Sequence, residues 1–362
     1  MYSEMTSRER ILAAIRHEEL DRVPMDYWGT SEATAKIMKG IGANTEEDFI
    51  RSLHLDKIRG VSPVYTGPAL FSEGDLQTDI WGIVTKKVSY RDNTGTYDEM
   101  VVHPLQHFET IDEIEANYQW PSVDWFDFSG ISAMCDRYDG YAIEGGYMAP
   151  FYFYNNIRGL QESLVDLAAE PELANYILDQ ICAFFTEYHT RLFESANGKI
   201  HLAQVTDDFG SQSGLMISLD MYRRFFKERN RKFVRLVKSN GIHVFHHDDG
   251  AIMPLIPDLC EDGIEILNPL QWHLPGMDLT MLKDNFGDRL CFHGGIDNQQ
   301  VLPFGTVQDV EAEVQTCIEV LARDRTGYIL APCHNVQVNT PVENVVAMYE
   351  AGRRFGSFIP GR

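Results

Sequence analysis

His243-Val244-Phe245-His246-His247-Asp248-Asp249-Gly250 is the stretch that decides the fold. A β-branched and aromatic run climbs to two histidines and two aspartates. A glycine then turns the chain into an apolar helical segment, Ala251 to Cys260. That is a strand feeding a helix, the unit of a parallel α/β sheet. Side chains on a strand alternate faces, so His243, Phe245, His247 and Asp249 share one face and His246 and Asp248 the other. His-x-Asp at the tip of a parallel strand can offer one cation a nitrogen and an oxygen. The plainer reading is a polar strand end whose histidines bond neighbouring loops, and the octapeptide alone leaves both open.

The same alternation recurs on both sides of it. Tyr141 to Gly146, Ile200 to Gly210, Ile264 to Pro269, Leu290 to Asp297 and Tyr328 to His334 read as short strands, each followed by helical sequence. Arg22 to Gly29 and Asp56 to Tyr65 bring the count to eight. Eight strand–helix units in 362 residues predict a closed (β/α)8 barrel, the TIM barrel. An open doubly wound sheet is the rival, but no strand is followed by a glycine-rich phosphate loop. Residues 77 to 103 alternate apolar and polar around Asp92-Asn-Thr-Gly95, which predicts a β-hairpin excursion. No linker-like stretch divides the chain, so residues 1–362 are expected to form a single domain.

A hydrophobic fraction of 44% is enough for a real core. The formal net charge of −23 argues against nucleic acid and against a basic patch for an anionic membrane. No apolar run approaches the ~20 residues of a membrane span. Cys135, Cys182, Cys260, Cys291, Cys317 and Cys333 have no paired spacing, and the N-terminus has no signal-like apolar run. Reduced thiols in a cytoplasmic protein are expected.

Chemistry on such a barrel sits at the C-terminal ends of the strands. The tips read Glu144-Gly-Gly, Asp207-Asp208, His247-x-Asp249, Asn268-Pro, His293-Gly-Gly and Cys333-His334. Any one tip has an ordinary explanation, such as helix capping by Asp207, Asp208 or Asp297. Polar groups at tip after tip point to a site. By alternation His247, Asp249, His293 and Cys333 converge from the fifth, seventh and eighth strands, and nitrogen, oxygen and sulfur donors together suit zinc. The alternative for Cys333 is a plain buried thiol. Glycines after Glu144 and His293 would leave room for a bulky ligand.

Several stretches resemble the uroporphyrinogen decarboxylase superfamily over nearly the whole chain. They are Leu255-Ile-Pro-Asp-Leu-x-x-x-Gly-Ile-Glu-Ile-Leu-Asn-Pro, Phe292-His-Gly-Gly-Ile-Asp297, Ala331-Pro-Cys-His334, Asp207-Asp-Phe-Gly-Ser-Gln212 and Arg8-Glu-Arg-Ile-Leu-Ala-Ala-Ile. The resemblance implies the same barrel and two functional branches. The decarboxylases hold a tetrapyrrole bearing eight carboxylates with an arginine-rich motif just after the first strand. Here Trp28-Gly-Thr-Ser-Glu-Ala-Thr-Ala-Lys36 has no arginine, and bidentate arginines are what such a polyanion needs. The corrinoid-linked methyltransferases, among them the methylcobamide:coenzyme M enzymes, bind zinc through His-x-Cys on strand five and a cysteine on strand eight. His247 and Cys333 match that pattern, Asp249 replaces its first cysteine, and His293 offers a substitute ligand.

The resemblance therefore implies a zinc-dependent methyltransferase. It would move a methyl group between a small methylated compound, such as an aryl methyl ether, and the cobalt of a partner corrinoid protein. Asp208 and Gln212 are the expected catalytic residues. Asn268 and Gln271 would orient polar substituents, Glu144 would line the site, and Tyr147 and Trp272 would cover the ring, with Trp28 in the core. Two alternatives stay open: a metal-free decarboxylase of a small acid that uses Asp207 and Asp208 as acids, and a non-catalytic tetrapyrrole- or corrinoid-binding module.

Overall fold

The His243 run forms a strand with parallel neighbours on both sides, in a computed structural model that describes residues 4–89 and 95–358. Seven parallel strands make one sheet: β1 (Arg59–Val61), β2 (Ile143–Met148), β3 (Leu202–Val205), β4 (His243–His247), β5 (Ile266–Asn268), β6 (Cys291–Ile296) and β7 (Tyr328–Pro332). They lie side by side in chain order. Parallel neighbours need long crossovers, and helices such as Pro171–Ala196, Lys227–Ser239 and Val307–Leu321 supply them. Strands covered on both faces read as unbroken apolar runs, and β6 and β7 are buried at every residue. The helix after β4 is Ile256–Asp262, starting later than Ala251. Pro254 disfavours helix in the residue before it, and Pro257 takes a place in the first turn.

Ile58, Ala142, Leu202, Phe245, Ile266, Cys291 and Ile329, which lie on or just before each of the seven strands, meet in one buried cluster with Ile11, Ala14 and Ile15. These last belong to the helix Ser7–Ile15, started by a capping box between Thr6 and Glu9. Buried Arg10 ties that helix down, pairing with Asp21 at 2.6 Å and Asp56 at 2.5 Å. Arg22 reaches the same Asp56 at 2.7 Å. The N-terminal end of the sheet is thus plugged, and the C-terminal strand ends are left free for chemistry.

Two expectations need correction. Arg22 to Gly29 is not a continuous strand. It makes single parallel bridges, Met25 to Leu330 and Gly29 to Val336. Pro24 has no N–H to give, and the Met25 amide goes to the Asp56 carboxylate at 2.9 Å, so no regular ladder can run. The hairpin is also part of something larger. Ser72–Glu73, Leu76–Thr78, Val84–Ser89 and Thr96–Val102 form a four-stranded antiparallel sheet, which Trp81 and Ile83 anchor to the core. Of its expected turn, residues 92–94 lie outside the described residues. Among the described residues no helix is long and apolar enough to cross a membrane, and all six cysteines are free.

Candidate metal centre

Strand parity carries β4 beyond its last ladder residue. Phe245 and His247 turn to the same side and stack on Trp28, with ring centroids 6.0 and 5.8 Å away. His246 goes to the other side, where its Nδ1 lies 2.6 Å from the Val205 carbonyl. Asp248 follows it and accepts the Gly210 amide at 3.0 Å. The Asp248 amide still donates to the Asn268 carbonyl at 2.8 Å, so the pleat persists and Asp249 keeps the inward side. Gly250 then turns at φ +99°. A Cβ there would stand 2.6 Å from the Ser211 nitrogen, so glycine is what lets the loops after β3 and β4 cross this closely.

The result is a cluster of donors. Asp249 Oδ2 lies 3.9 Å from His247 Nε2 and 3.9 Å from His334 Nε2. The ligand atoms of these three residues all fall within 4.8 Å of one another. Asp208 Oδ1 is 3.9 Å from His247 Nε2 and accepts the Asp249 amide at 3.4 Å. Burial raises the Asp208 pKa, His247 opposes this and Asp249 reinforces it. Asp249 Oδ1 is buried with no hydrogen-bond partner, an unfavourable state unless something else binds it. Two imidazoles and a carboxylate, with a second carboxylate beside them, are the donor set of an open catalytic divalent-metal site. The residues present fit such an ion.

A buried hydrogen-bond chain orients the His247 ring. Asn268 Nδ2 faces two acceptors, His293 Nδ1 at 2.8 Å and the His293 carbonyl at 3.3 Å, which fixes the amide orientation. Asn268 Oδ1 therefore accepts from His247 Nδ1 at 2.6 Å, and the lone pair of His247 is left on Nε2, toward the cluster. His293, accepting at Nδ1, donates from Nε2 to Asp26 Oδ2 at 3.1 Å. Trp28 Nε1 donates to the same oxygen at 3.0 Å. Burial alone would raise Asp26, but Lys57, 3.6 Å from Oδ1, and the His293 bond outweigh it and hold the carboxyl well below its usual range.

The sequence pattern of the uroporphyrinogen decarboxylase (URO-D) family matches residues 99–355, well over half of the chain. The chain belongs to this family. A URO-D relative from Chlorobium luteolum, a uroporphyrinogen decarboxylase, is 24% identical over 216 residues. That match spans 58% of this chain and about half (54%) of the relative. A methylated-thiol–coenzyme M methyltransferase of Methanosarcina mazei is 25% identical over 360 residues, 97% of this chain and 90% of that relative. A solved structure of a methyltransferase from Methanosarcina mazei shares the fold, with a TM-score of 0.68 at 19% identity over 97% of this chain and 99% of that one.

Within this URO-D fold the expected ligands separate. His247 and Asp249 come together, but their third partner is His334, not Cys333 or His293. β7 ends at Pro332 and the next residues bend, so parity no longer governs them. Cys333 Sγ donates to the Leu270 carbonyl at 3.2 Å and is buried, which raises its pKa well above the usual thiol range. His293 faces inward, yet both its ring nitrogens are taken, so it supports His247 through Asn268.

The remaining residues take varied places. Asp208 sits in the cluster, whereas Gln212 is exposed in the following turn. Asp207 is buried and accepts the Phe151 and Tyr152 amides, capping the helix Pro150–Arg158. Gln271 Oε1 holds the Gly250 amide at 2.6 Å. Trp272 donates to the Gly295 carbonyl at 2.8 Å rather than covering the cluster. Tyr147 is exposed, and half-buried Glu144 accepts from Gln204 at 3.0 Å. The glycines after Glu144 do not make room for a ligand: a Cβ on Gly145 would meet Ile200 at 2.5 Å and one on Gly146 would meet His189 at 2.2 Å. Sequence reasoning missed His334 and Asp26. His334 had a signal, its place beside Cys333 at a tip, and so did Asp26, a lone carboxylate inside an apolar run.

Proposed function

We propose that this protein is a zinc-dependent methyltransferase that takes a methyl group from a small oxygen-linked donor, such as an aryl methyl ether, and passes it to a partner corrinoid protein. The observation that carries this reading is the His247–Asp249–His334 cluster, with Asp208 beside it, in a chain whose near full-length relative is a methyltransferase. Zinc bound there would supply Lewis acidity to the leaving oxygen. Nitrogen and carboxylate donors are harder than thiolates and leave the site more oxygen-seeking, although that relative, by its name, concerns methylated thiols. Asn268 presents His247, and Trp28 packs over the His247 ring. In that transfer the partner's corrinoid would accept the methyl group, the oxygen would keep the electron pair of the broken bond, and Asp208, whose carboxyl burial shifts upward, would supply its proton.

The decarboxylase reading keeps only one of its two acids, Asp208, because Asp207 is occupied as a helix cap. A tetrapyrrole polyanion is disfavoured as well, since the one cation of the Trp28 to Lys36 stretch, Lys36, has its Nζ bonded to the Val338 and Thr340 carbonyls. The same proposal takes the chain as one domain, a (β/α)8 barrel closed by the 22–29 segment. In support, Asp26 donates its amide to the Leu330 carbonyl and Asp56 donates its own to the Met25 carbonyl, at 2.9 and 2.7 Å. The free cysteines suit a reducing, cytoplasmic setting.

The test is cobalt spectroscopy. Zinc-loaded protein, a reduced corrinoid protein and an aryl methyl ether should yield methylated cobalt, and a chelator should suppress it. No methylated cobalt from any ether, thioether or amine donor overturns the reading. Asp249→Cys should keep metal while demethylating ethers more slowly. Faster transfer to a thiol acceptor than from an ether by the unmodified protein would reverse the oxygen preference.

A further inference from the structure

A cavity of about 380 Å³ opens on the β1–β2 side of the sheet, beside Ile80 and Trp81 of the excursion. Trp81, Phe153, Phe185 and Tyr188 line it, with Glu144 of β2 on its wall. Three of these rings contact one another: Trp81–Phe153, Trp81–Phe185 and Phe153–Phe185 centroids lie 5.4, 5.7 and 4.8 Å apart. Tyr147 stands at the rim, 41% exposed, its ring 6.1 Å from Phe153.

We propose that this cavity binds a small organic cation of the methylated-ammonium class, with Glu144 as its counter-charge and the aromatic rings as its walls. Glu144 has one oxygen held by the Gln204 amide and no cation in contact among the described residues. Lys57, the positive side chain that acts on it, is committed elsewhere, donating to the Tyr27 carbonyl at 2.8 Å and pairing with Asp26. A half-buried carboxylate held by one amide and by no cation is poorly stabilised, and burial pushes Glu144 up to about 7. A cation entering the cavity relieves that state and gains from the ring faces as well. A neutral apolar ligand would use the rings but leave the carboxyl without a counter-charge, and an anion would meet the Glu144 carboxylate. The proposal is independent of methyl transfer, because no residue of the metal cluster lines this cavity.

The experiment is calorimetric titration of the 362-residue chain with choline and with 3,3-dimethylbutan-1-ol, its neutral isostere of the same shape. Choline should bind at least about tenfold more tightly than the alcohol. Glu144→Gln should remove that preference, with binding of the alcohol unchanged and the melting temperature retained. His247→Ala should leave choline binding intact, which separates this site from the metal cluster. Equal affinity for the two probes, or no binding of choline at ~10 mM, overturns the proposal on the unmodified protein alone, even if the Glu144 variant fails to fold.

Discussion

The tips of β4 and β7 start from the same rule and end differently. At β4 the inward set Phe245, His247, Asp249 follows strict alternation, although Asp249 lies past the assigned strand. At β7 alternation would turn Ile329, Ala331 and Cys333 inward, but the residue that reaches the cluster is His334. The difference lies in the backbone. The first amide past each strand end still bonds the neighbour strand, Asp248 to the Asn268 carbonyl and Cys333 to the Ile296 carbonyl, so the separation comes from the shape of the strands themselves. At β7 the ladder partners Gly294 and Gly295 sit at φ +115° and +98°, off the pleat, and Pro332 has no amide to give. Parity therefore holds for a strand end whose neighbours are regular and slips by one where glycines and a proline bend it.

The largest effect should come from the cluster itself. His247→Ala and His334→Ala each remove a ligand and should lower metal affinity by more than the about 10–100-fold typical of a supporting residue. Metal content per chain after purification without chelator measures this directly. Retention of full metal by His334→Ala would return the β7 tip to Cys333.

Asp26→Asn tests the chain behind β4. Its carboxyl is depressed in the folded protein, so the stability it contributes is present above the unfolded value, about 4, and is lost as pH falls through the folded one. The variant leaves Lys57 without its partner and should lose about 3 kcal/mol at neutral pH. Denaturant titrations between neutral and acid pH should show the difference shrinking below the unfolded value. An unchanged gap at low pH would mean that the charge of Asp26 is not what stabilises the fold.

Asn268→Ala comes next. It strips the partner from His247 Nδ1 and from His293 Nδ1 together, and should weaken metal binding about 10–100-fold while the fold persists. A loss of stability with unchanged metal affinity would make Asn268 a packing residue only.

Much of the α/β architecture was legible because each buried strand reads as a short apolar run closed by turn residues, as Ile264 to Pro269 and Leu290 to Asp297 do. The segment around Pro24 was harder, since its amides bond a carboxylate instead of a strand, and no periodicity records that. His247, Asp249 and Asp208 could be singled out from sequence because they stand at tips whose loops stay close to the strand path. His334 could not be separated from Cys333, because one residue of slip depends on two glycine dihedrals on a neighbouring strand. Asp26 was hidden by distance: 267 positions separate it from His293, its hydrogen-bond partner.

The smallest effect should be that of Cys333→Ser, and it is the sharpest separation of the two tips. The thiol is buried, donates to the Leu270 carbonyl at 3.2 Å and lies outside the donor cluster. A hydroxyl keeps that donor and is slightly smaller and more polar, so the change should cost about 1 kcal/mol or less. It should leave metal content unaltered, since a residue bonded to a carbonyl on another loop does not hold the ion. A thiolate ligand would behave otherwise: serine is a far weaker zinc donor, and the site would lose metal with the fold intact. Metal analysis and a melting curve on the same sample decide between the two. Full metal with a slightly lower melting temperature assigns Cys333 to the core. Lost metal with an unchanged melting curve would mean that the side chain swings inward when the ion binds, and that the parity of β7 holds after all.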